Sequence, residues 1–387
     1  MLCIRLARIS MKMRNIILIF LISLTKLSFA QIESNTYQLN TLENLLTDDV
    51  KKIISYNIEN KSVVFLGESA HHMGSDFLAK TEFVKYLVNE KGYKDIVFDS
   101  DFFGLYFDHK KYNIFPHWTR SEQCQDLFRF LEVHDVTLWG LDNYTNSYYT
   151  YHNFTQKLND YLKGKNINVD DGFIKLTDKS IKTAGDELNK DEVKFLLGTI
   201  DVLLSNEKID PLWHQFLESF QSAVEIYTIH SIRKEGIPIR DKQMAKNLDF
   251  LVKKFPEKKF LVWVANAHMS KVESEFMEGQ TMGYDFVKLN PDISYHLAFT
   301  YIHMPWIKKR KIEKAQMNKY NLLHYLPDTT GNYFIDSKAL IKAYPKFSNK
   351  DYESFFGLNS NEANWFEQFD ALIFIGKGIR SNLIEYE

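Results

Sequence analysis

The residues best able to do chemistry in this chain stand where short apolar runs end in ionisable side chains. Gly67-Glu68-Ser69-Ala70-His71-His72 closes one such run, Asp99-Ser100-Asp101 a second, Asp142-Asn143 a third and Asn266-Ala267-His268 a fourth. Glu68 and His71 are three residues apart in a tight turn. A carboxylate so placed can fix the tautomer of an imidazole and lift its pKa toward neutrality. An imidazole held that way can take a proton from water. His268 supplies a second imidazole, able to act as acid, electrophile or orienter, and Asp99 can pair with either histidine or with an arginine. His72 diverges from its neighbour and is the weaker actor. The remaining histidines of the 12 in the chain lack such company and are expected to cap or pack.

Other chemistries find less support. Glu68 and His71 with the distant His268 could hold zinc or manganese, but no HExxH and no diagnostic Cys/His spacing occurs, so no metal is expected. There is no G-x-S-x-G elbow, since Ser69 lies in GESAHH. No Gly-rich phosphate loop stands out.

For these termini to meet, the runs before them must be strands pointing the same way. SVVFLGE (62–68), KDIVFDSD (94–101), VTLWGLDN (136–143) and KKFLVWVANAH (258–268) have strand character. Between them DFLAKTEFVKYLVNEKGY (76–93) has apolar residues near helical spacing, with Gly92 as its stop. SEQCQDLFRFLEVH (121–134) and RDKQMAKNLDFLVKKF (240–255) are also helical in period. The β–α–β–α–β alternation predicts an α/β fold with a largely parallel central sheet flanked by helices. In such sheets ligands sit beyond the carboxyl ends of the strands. From about residue 150 to 235 the periodicity is helical throughout, which predicts a helical insertion packed over the sheet. SYHLAFTYIH (294–303) and DALIFIG (370–376) are further strands. With no repeat and no low-complexity linker, residues 31–387 are expected to form one domain carrying that insertion.

The bulk of the chain fits this picture. Of 387 residues, 45% are hydrophobic and 25% charged, the balance of a globular protein with an ample core. The 30 Phe and 21 Tyr are expected to serve core and groove packing. At the start, Arg5, Arg8, Lys12 and Arg14 lead into the apolar NIILIFLISLTKLSFA, and Ser28 and Ala30 stand before Gln31. That is the layout of a signal peptide over residues 1–30 and predicts export to the periplasm or outside the cell. Lys26 interrupts the run, which argues against a retained membrane anchor. Losing this segment removes five basic and no acidic residues, taking Lys+Arg from 48 to 43 against 50 Asp+Glu, a net charge of −7. Such a surface gives no electrostatic reason to bind nucleic acid. The basic stretch KKRKIEK (308–314) is a solvated face. Only Cys124 remains after cleavage, so no internal disulfide can form, and its helical surroundings predict packing rather than nucleophilic chemistry.

At these residues the chain resembles the erythromycin esterase family. VVFLGESAHHMGSDFLAKTEFVKYLVNEKGYKDIVFDSDF is similar to the family's Gly-Glu-x-x-His turn with the following helix and strand. LWGLDNY is like its Gly-x-Asp strand end. IRDKQMAKNLDFLVKKFPEKKFLVWVANAHMSK resembles its Arg-Asp-x-x-Met-Ala-x-Asn helix and the strand leading to Asn-Ala-His, and MGYDF and FDALIFI follow in order. The resemblance implies a sheet with flanking helices, an insertion that forms a cleft, and hydrolysis of a cyclic ester without a required metal. By position, His71 would be the base that activates water, Glu68 would orient it and His268 would complete the polar site. Asp99 stands where the family usually has glutamate. Arg240 and Asp241 stand at its Arg-Asp pair, where Arg240 can steady a carboxylate or a developing oxyanion and a structural salt bridge is the plainer use. Asp142 and Asn266 belong to the same strand ends as supporting residues. Ala70-His71-His72 replaces the usual Thr-His-Gly, and Ala265 replaces a histidine often found before Asn-Ala-His.

The expected function is therefore an exported hydrolase of carboxylic esters or lactones, using histidine-activated water and no cofactor, with a small-molecule ester as its partner. Two other classes remain open from the sequence. One is a non-catalytic ligand-binding protein on the same fold, motivated by Ala70 and Ala265. The other is a metal-dependent hydrolase using Glu68, His71 and His268.

Overall fold

The computed structural model describes residues 31–227, 229, 235–273, 279–353 and 362–385. The expected signal peptide, residues 1–30, and the last part of the expected insertion lie outside the described residues. Eight strands share one sheet: β1 (Thr36–Leu39), β2 (Val63–Glu68), β3 (Asp95–Asp101), β4 (Thr137–Asp142), β5 (Phe260–Ala265), β6 (Ser294–His303), β7 (Asn332–Asp336) and β8 (Ala371–Lys377). Their order is β1-β7-β8-β6-β2-β5-β3-β4. The six from β8 to β4 are mutually parallel, and β7 runs against both β8 and β1.

The parallel strands appear as unbroken apolar runs because both faces are covered. Side chains alternate along a strand, so Val63 and Phe65 enter one core while Val64 and Leu66 enter the other. In β5 the same split sends Phe260, Val262 and Val264 one way and Leu261 and Trp263 the other. Helices α1 (Asp48–Asn57), α2 (Gly74–Lys91) and α3 (Gln125–Val133) supply the core on the Val64 face. The opposite core takes residues from α4 (Tyr148–Gly164), α5 (Asp171–Thr183), α6 (Lys190–Leu204), α7 (Pro211–Ile226), α8 (Ile237–Lys254) and α9 (Met282–Leu289). Residues α4 to α7 are the helical region expected from the sequence.

Local chemistry sets the element ends. Gly92 takes φ 74, a left-handed conformation that costs glycine little, and its N–H closes α2 on Leu87. Asn189 and Glu192 form a capping box at the start of α6, and Asp210 caps α7 ahead of Pro211. A buried amide joins the helical region to the sheet. Asn247 in α8 donates to the Leu141 carbonyl (2.9 Å) and to Ser219 (3.1 Å), and accepts from Gln215 (2.8 Å) and Gln243 (2.9 Å). All four hydrogen bonds open to an amide are thereby made, so α7, α8 and β4 are held in one register.

Two expectations need correction, and two strands are additions. The strand expected to run to His268 stops at Ala265, and Asn266–His268 forms a 3-10 turn. Residues 121–134 are not one helix, because a 3-10 turn at Glu122–Cys124 precedes α3. Strands β1 and β7, unforeseen, are only four and five residues long. Such short pieces carry too little periodicity to stand out. Cys124 is buried and free, as its surroundings suggested.

The pairing of β3 with β4 shifts register between Phe98 and Asp101, and Gly140 lies against that irregularity. A Cβ at position 140 would sit 2.3 Å from the Asp101 carbonyl oxygen and 2.5 Å from that of Ser100. Both are backbone atoms and cannot swing aside. Gly140→Ala is expected to cost roughly 1–3 kcal/mol, as overpacking does, measured by urea unfolding. A change within about 0.5 kcal/mol, the range of ordinary surface substitutions, would contradict this tight fit.

Candidate active site

Adjacent strands β2, β5, β3 and β4 end side by side and bring Glu68, His268, Asp99 and Asp142 to one edge. At about 4.8 Å per strand, three intervals span roughly 14 Å, within reach of long side chains. The edge divides into a half built on Glu68 and a half built on Arg240.

Glu68 is fully buried and meets donors on every side. His71 lies 3.0 Å away through Nδ1, Lys80 of α2 donates at 2.8 Å, and the Trp118 indole N–H is shared between its two oxygens at 3.1 and 3.3 Å. Burial pushes the carboxyl up, but Lys80 and then His71 outweigh it and hold Glu68 below the usual glutamate range. An ionised carboxylate only accepts, so His71 must carry its proton on Nδ1. Its other ring nitrogen, Nε2, belongs to a side chain 43% exposed. Lys80 is itself buried, with its ammonium 3.8 Å from the centre of the Trp263 ring; burial pulls its pKa below the usual lysine value. His117 packs its ring 4.9 Å from that of His71 and 4.1 Å from Trp118. Burial, then His71, lowers its pKa to about 4, so it is neutral.

Arg240, in the first turns of α8, organises the other half. It grips Asp142 with both arms of its guanidinium, Nε at 2.9 Å and Nη2 at 2.8 Å, and reaches Asp99 at 2.5 Å. Burial raises both carboxyls. Arg240 prevails over it at Asp99, which ends low, while burial and the like charge of Asp99 leave Asp142 high. Two carboxylates sharing one cation separate in this way. The next residue, Asp241, does not pair with Arg240. It accepts from His268 Nδ1 at 2.7 Å and from the Met282 N–H of α9 at 3.1 Å. Burial opposes protonation of His268, but Asp241 and then Asp99 overcome it and raise its pKa. His268 Nε2 faces Arg240 at 3.4 Å and Asp99 at 3.8 Å.

Asp99 joins the halves. After Arg240, its charge is favoured by His268, His71 and His117. Glu68 lies opposite Ala265 in the β2–β5 pairing, so His71 and His268, each three residues further on, leave the sheet at the same edge. Glu68 with His71, and Asp99, Asp142 and His268 with Arg240 and Asp241, thus form two groups at neighbouring strand ends. Asn266 stands apart, since its amide donates to the Phe299 carbonyl at 2.7 Å and its oxygen accepts from the Phe299 N–H at 3.3 Å. It braces the turn under His268 against β6. Lys80, Trp118 and His117 were not foreseen. Lys80 had a signal: it interrupts the apolar stripe of Phe77, Val84 and Leu87 at helical spacing, and a lysine there needs a buried partner. Trp118 and His117 lie in a short non-periodic turn with no such mark.

The arrangement defines a layered α/β protein with a carboxylate–histidine site at its strand ends. No protein-family model matches the sequence, and no curated protein matches it. The fold is shared with solved structures at low identity. A protein from Bacillus cereus aligns with TM-score 0.69 and 17% identity over 93% of this chain and 99% of its own. A succinoglycan biosynthesis protein aligns with TM-score 0.73 and 16% identity over 94% and 99%. A mutant of erythromycin esterase EreC in its open conformation aligns with TM-score 0.67 and 16% identity over 91% and 100%.

Asp76, also buried, ties down the turn that carries His71. Its Oδ2 accepts from the Ser69 N–H at 2.8 Å and the Ser69 hydroxyl at 2.5 Å. Burial, resisted by those bonds, raises its pKa to about 6. The folded chain therefore keeps this proton up to a pH where the unfolded chain has already lost it. Between pH about 4 and 6 the folded state binds more protons, so this group lowers stability as pH rises. Asp76→Asn is expected to lack that slope and to gain about 1–3 kcal/mol relative to wild type above pH 6, compared with its standing below pH 4. Parallel unfolding curves for the two proteins across this range would contradict it.

Proposed function

We propose that the protein is an exported hydrolase that cleaves an ester or lactone with water activated by His71. The observation that carries this reading is a half-exposed imidazole whose Nδ1 is held by buried Glu68, on the strand edge that also carries Asp99, Arg240 and His268. The fold shared with an erythromycin esterase supports the same class. The basic and apolar residues 1–30 support export.

In this reading His71 Nε2 takes one proton from water as the water oxygen bonds the acyl carbon. The carbonyl electrons move onto oxygen, and Arg240 meets that negative charge with an Nη1 N–H not used by Asp99 or Asp142. The oxyanion collapses, the bond to the alcohol oxygen breaks, and the His71 imidazolium returns its proton to the leaving alkoxide. Lys80 and Trp118 position Glu68. Asp241 orients His268, which sets the charge beside Arg240.

A panel of aryl esters, lactones and macrolides tests this with wild type and His71→Ala side by side. The variant is expected to lose about 10²–10⁴-fold in kcat/KM on any substrate the wild type cleaves, the usual worth of a positioned base. Equal turnover by both proteins would remove His71 from the reaction. Capture of a panel member without turnover, indifferent to His71→Ala, would favour a binding protein instead.

A further inference from the structure

His117 gives the Glu68 half a second kind of chemistry. One Glu68 oxygen and one ring nitrogen each from His71 and His117 all lie within 4.8 Å of one another. An ion with bonds of about 2.0–2.2 Å can gather such a set after small side-chain rotations. A separate observation marks the place as wanting a partner: His117 Nε2 is buried and has no hydrogen-bond partner among the described residues. Buried polar atoms are nearly always satisfied, and an orphan beside other ligand atoms calls for a water or an ion. Lys80 occupies Glu68 Oε2, whereas Oε1 faces His71, so one oxygen can turn to an ion while the other keeps its ammonium.

We propose that Glu68, His71 and His117 bind one divalent transition ion of the Zn²⁺ class, and that this ion competes with the use of His71 as a base. Two imidazoles and one carboxylate suit zinc or cobalt, while magnesium and calcium prefer oxygen alone. Three protein ligands leave a fourth position for water on the open side of His71. His268 is not the third ligand, because its Nδ1 holds Asp241 at 2.7 Å while its Nε2, the nitrogen left for a metal, faces the Arg240 guanidinium at 3.4 Å. The competition half rests on the esterase reading. Ligation through Nδ1 displaces the proton that Glu68 accepts, and ligation through Nε2 takes the lone pair; either removes the base.

Binding is tested without reference to activity, by titrating the purified full chain with Zn²⁺ in a calorimeter and with Co²⁺ by its visible absorption. One ion per chain is expected, with affinity falling at least about tenfold in His117→Ala and His117→Gln and unchanged in His268→Ala. No binding by folded wild type at millimolar metal, or equal affinity in the His117 variants, would overturn the site. If those variants fail to fold, diethyl pyrocarbonate labelling of wild type reads the same point: Zn²⁺ should shield His71 and His117, and unshielded labelling overturns it. On any ester the wild type cleaves, Zn²⁺ should slow turnover and a chelator restore it. Zn²⁺ bound with turnover unchanged defeats the competition alone, while the His71→Ala assay judges the esterase reading separately.

Discussion

Buried negative charge is the constraint around which the upper edge of this molecule is built. Glu68, Asp99, Asp142 and Asp241 are all withdrawn from water at the ends of neighbouring strands or in the helix above them. An ionised carboxylate cannot stay in such a place without a counter-charge or several donors. Lys80 answers Glu68, Arg240 answers Asp99 and Asp142 together, and His268 answers Asp241. Removing one member of such a pair strands the other, a loss of about 3–5 kcal/mol. The geometry is therefore narrow: β3, β4 and the start of α8 must stay within reach of a single guanidinium.

That requirement links fold to chemistry. Parallel strands bring the carboxylates to one edge, and helices on opposite faces bring the cations: Lys80 comes from α2 on one side and Arg240 from α8 on the other. Asn247 fixes α8 to β4 through the Leu141 carbonyl, so the guanidinium fork arrives already aimed at Asp142. The result is a rigid polar shell in which most groups are spent on one another. His71 is the exception, with one nitrogen held and its ring open to solvent. A preorganised shell around one free imidazole is what general-base chemistry needs.

Much of this was legible in the sequence, for physical reasons. Strands covered on both faces must be apolar throughout and can turn polar only where they emerge, so VVFLGE and LWGLD announced both their direction and their polar ends. Gly92 marked the close of α2 because a left-handed residue was needed there, and 294–303 matched β6 at both ends. The misses have causes as well. Short edge strands β1 and β7 owe their pairing to neighbours rather than to any pattern of their own. His268 leaves the strand in a tight turn whose hydrogen bonds come from β6, far along the chain. Asn266 braces that turn through both its amide N–H and its oxygen. His117 and Trp118 meet Glu68 and His71 only because a four-residue helical turn, Pro116–Thr119, lies across the end of β2.

We propose that the imidazoles at 71 and 268, held by Glu68 and Asp241 respectively, serve one centre. A double-mutant cycle on an ester the wild type hydrolyses tests it most directly, comparing kcat/KM for His71→Ala, His268→Ala and the two combined. Residues that act as a unit are strongly non-additive. The double variant should lose little more than the worse single one. Losses that multiply across the cycle would mean two independent contributions and would contradict a single centre.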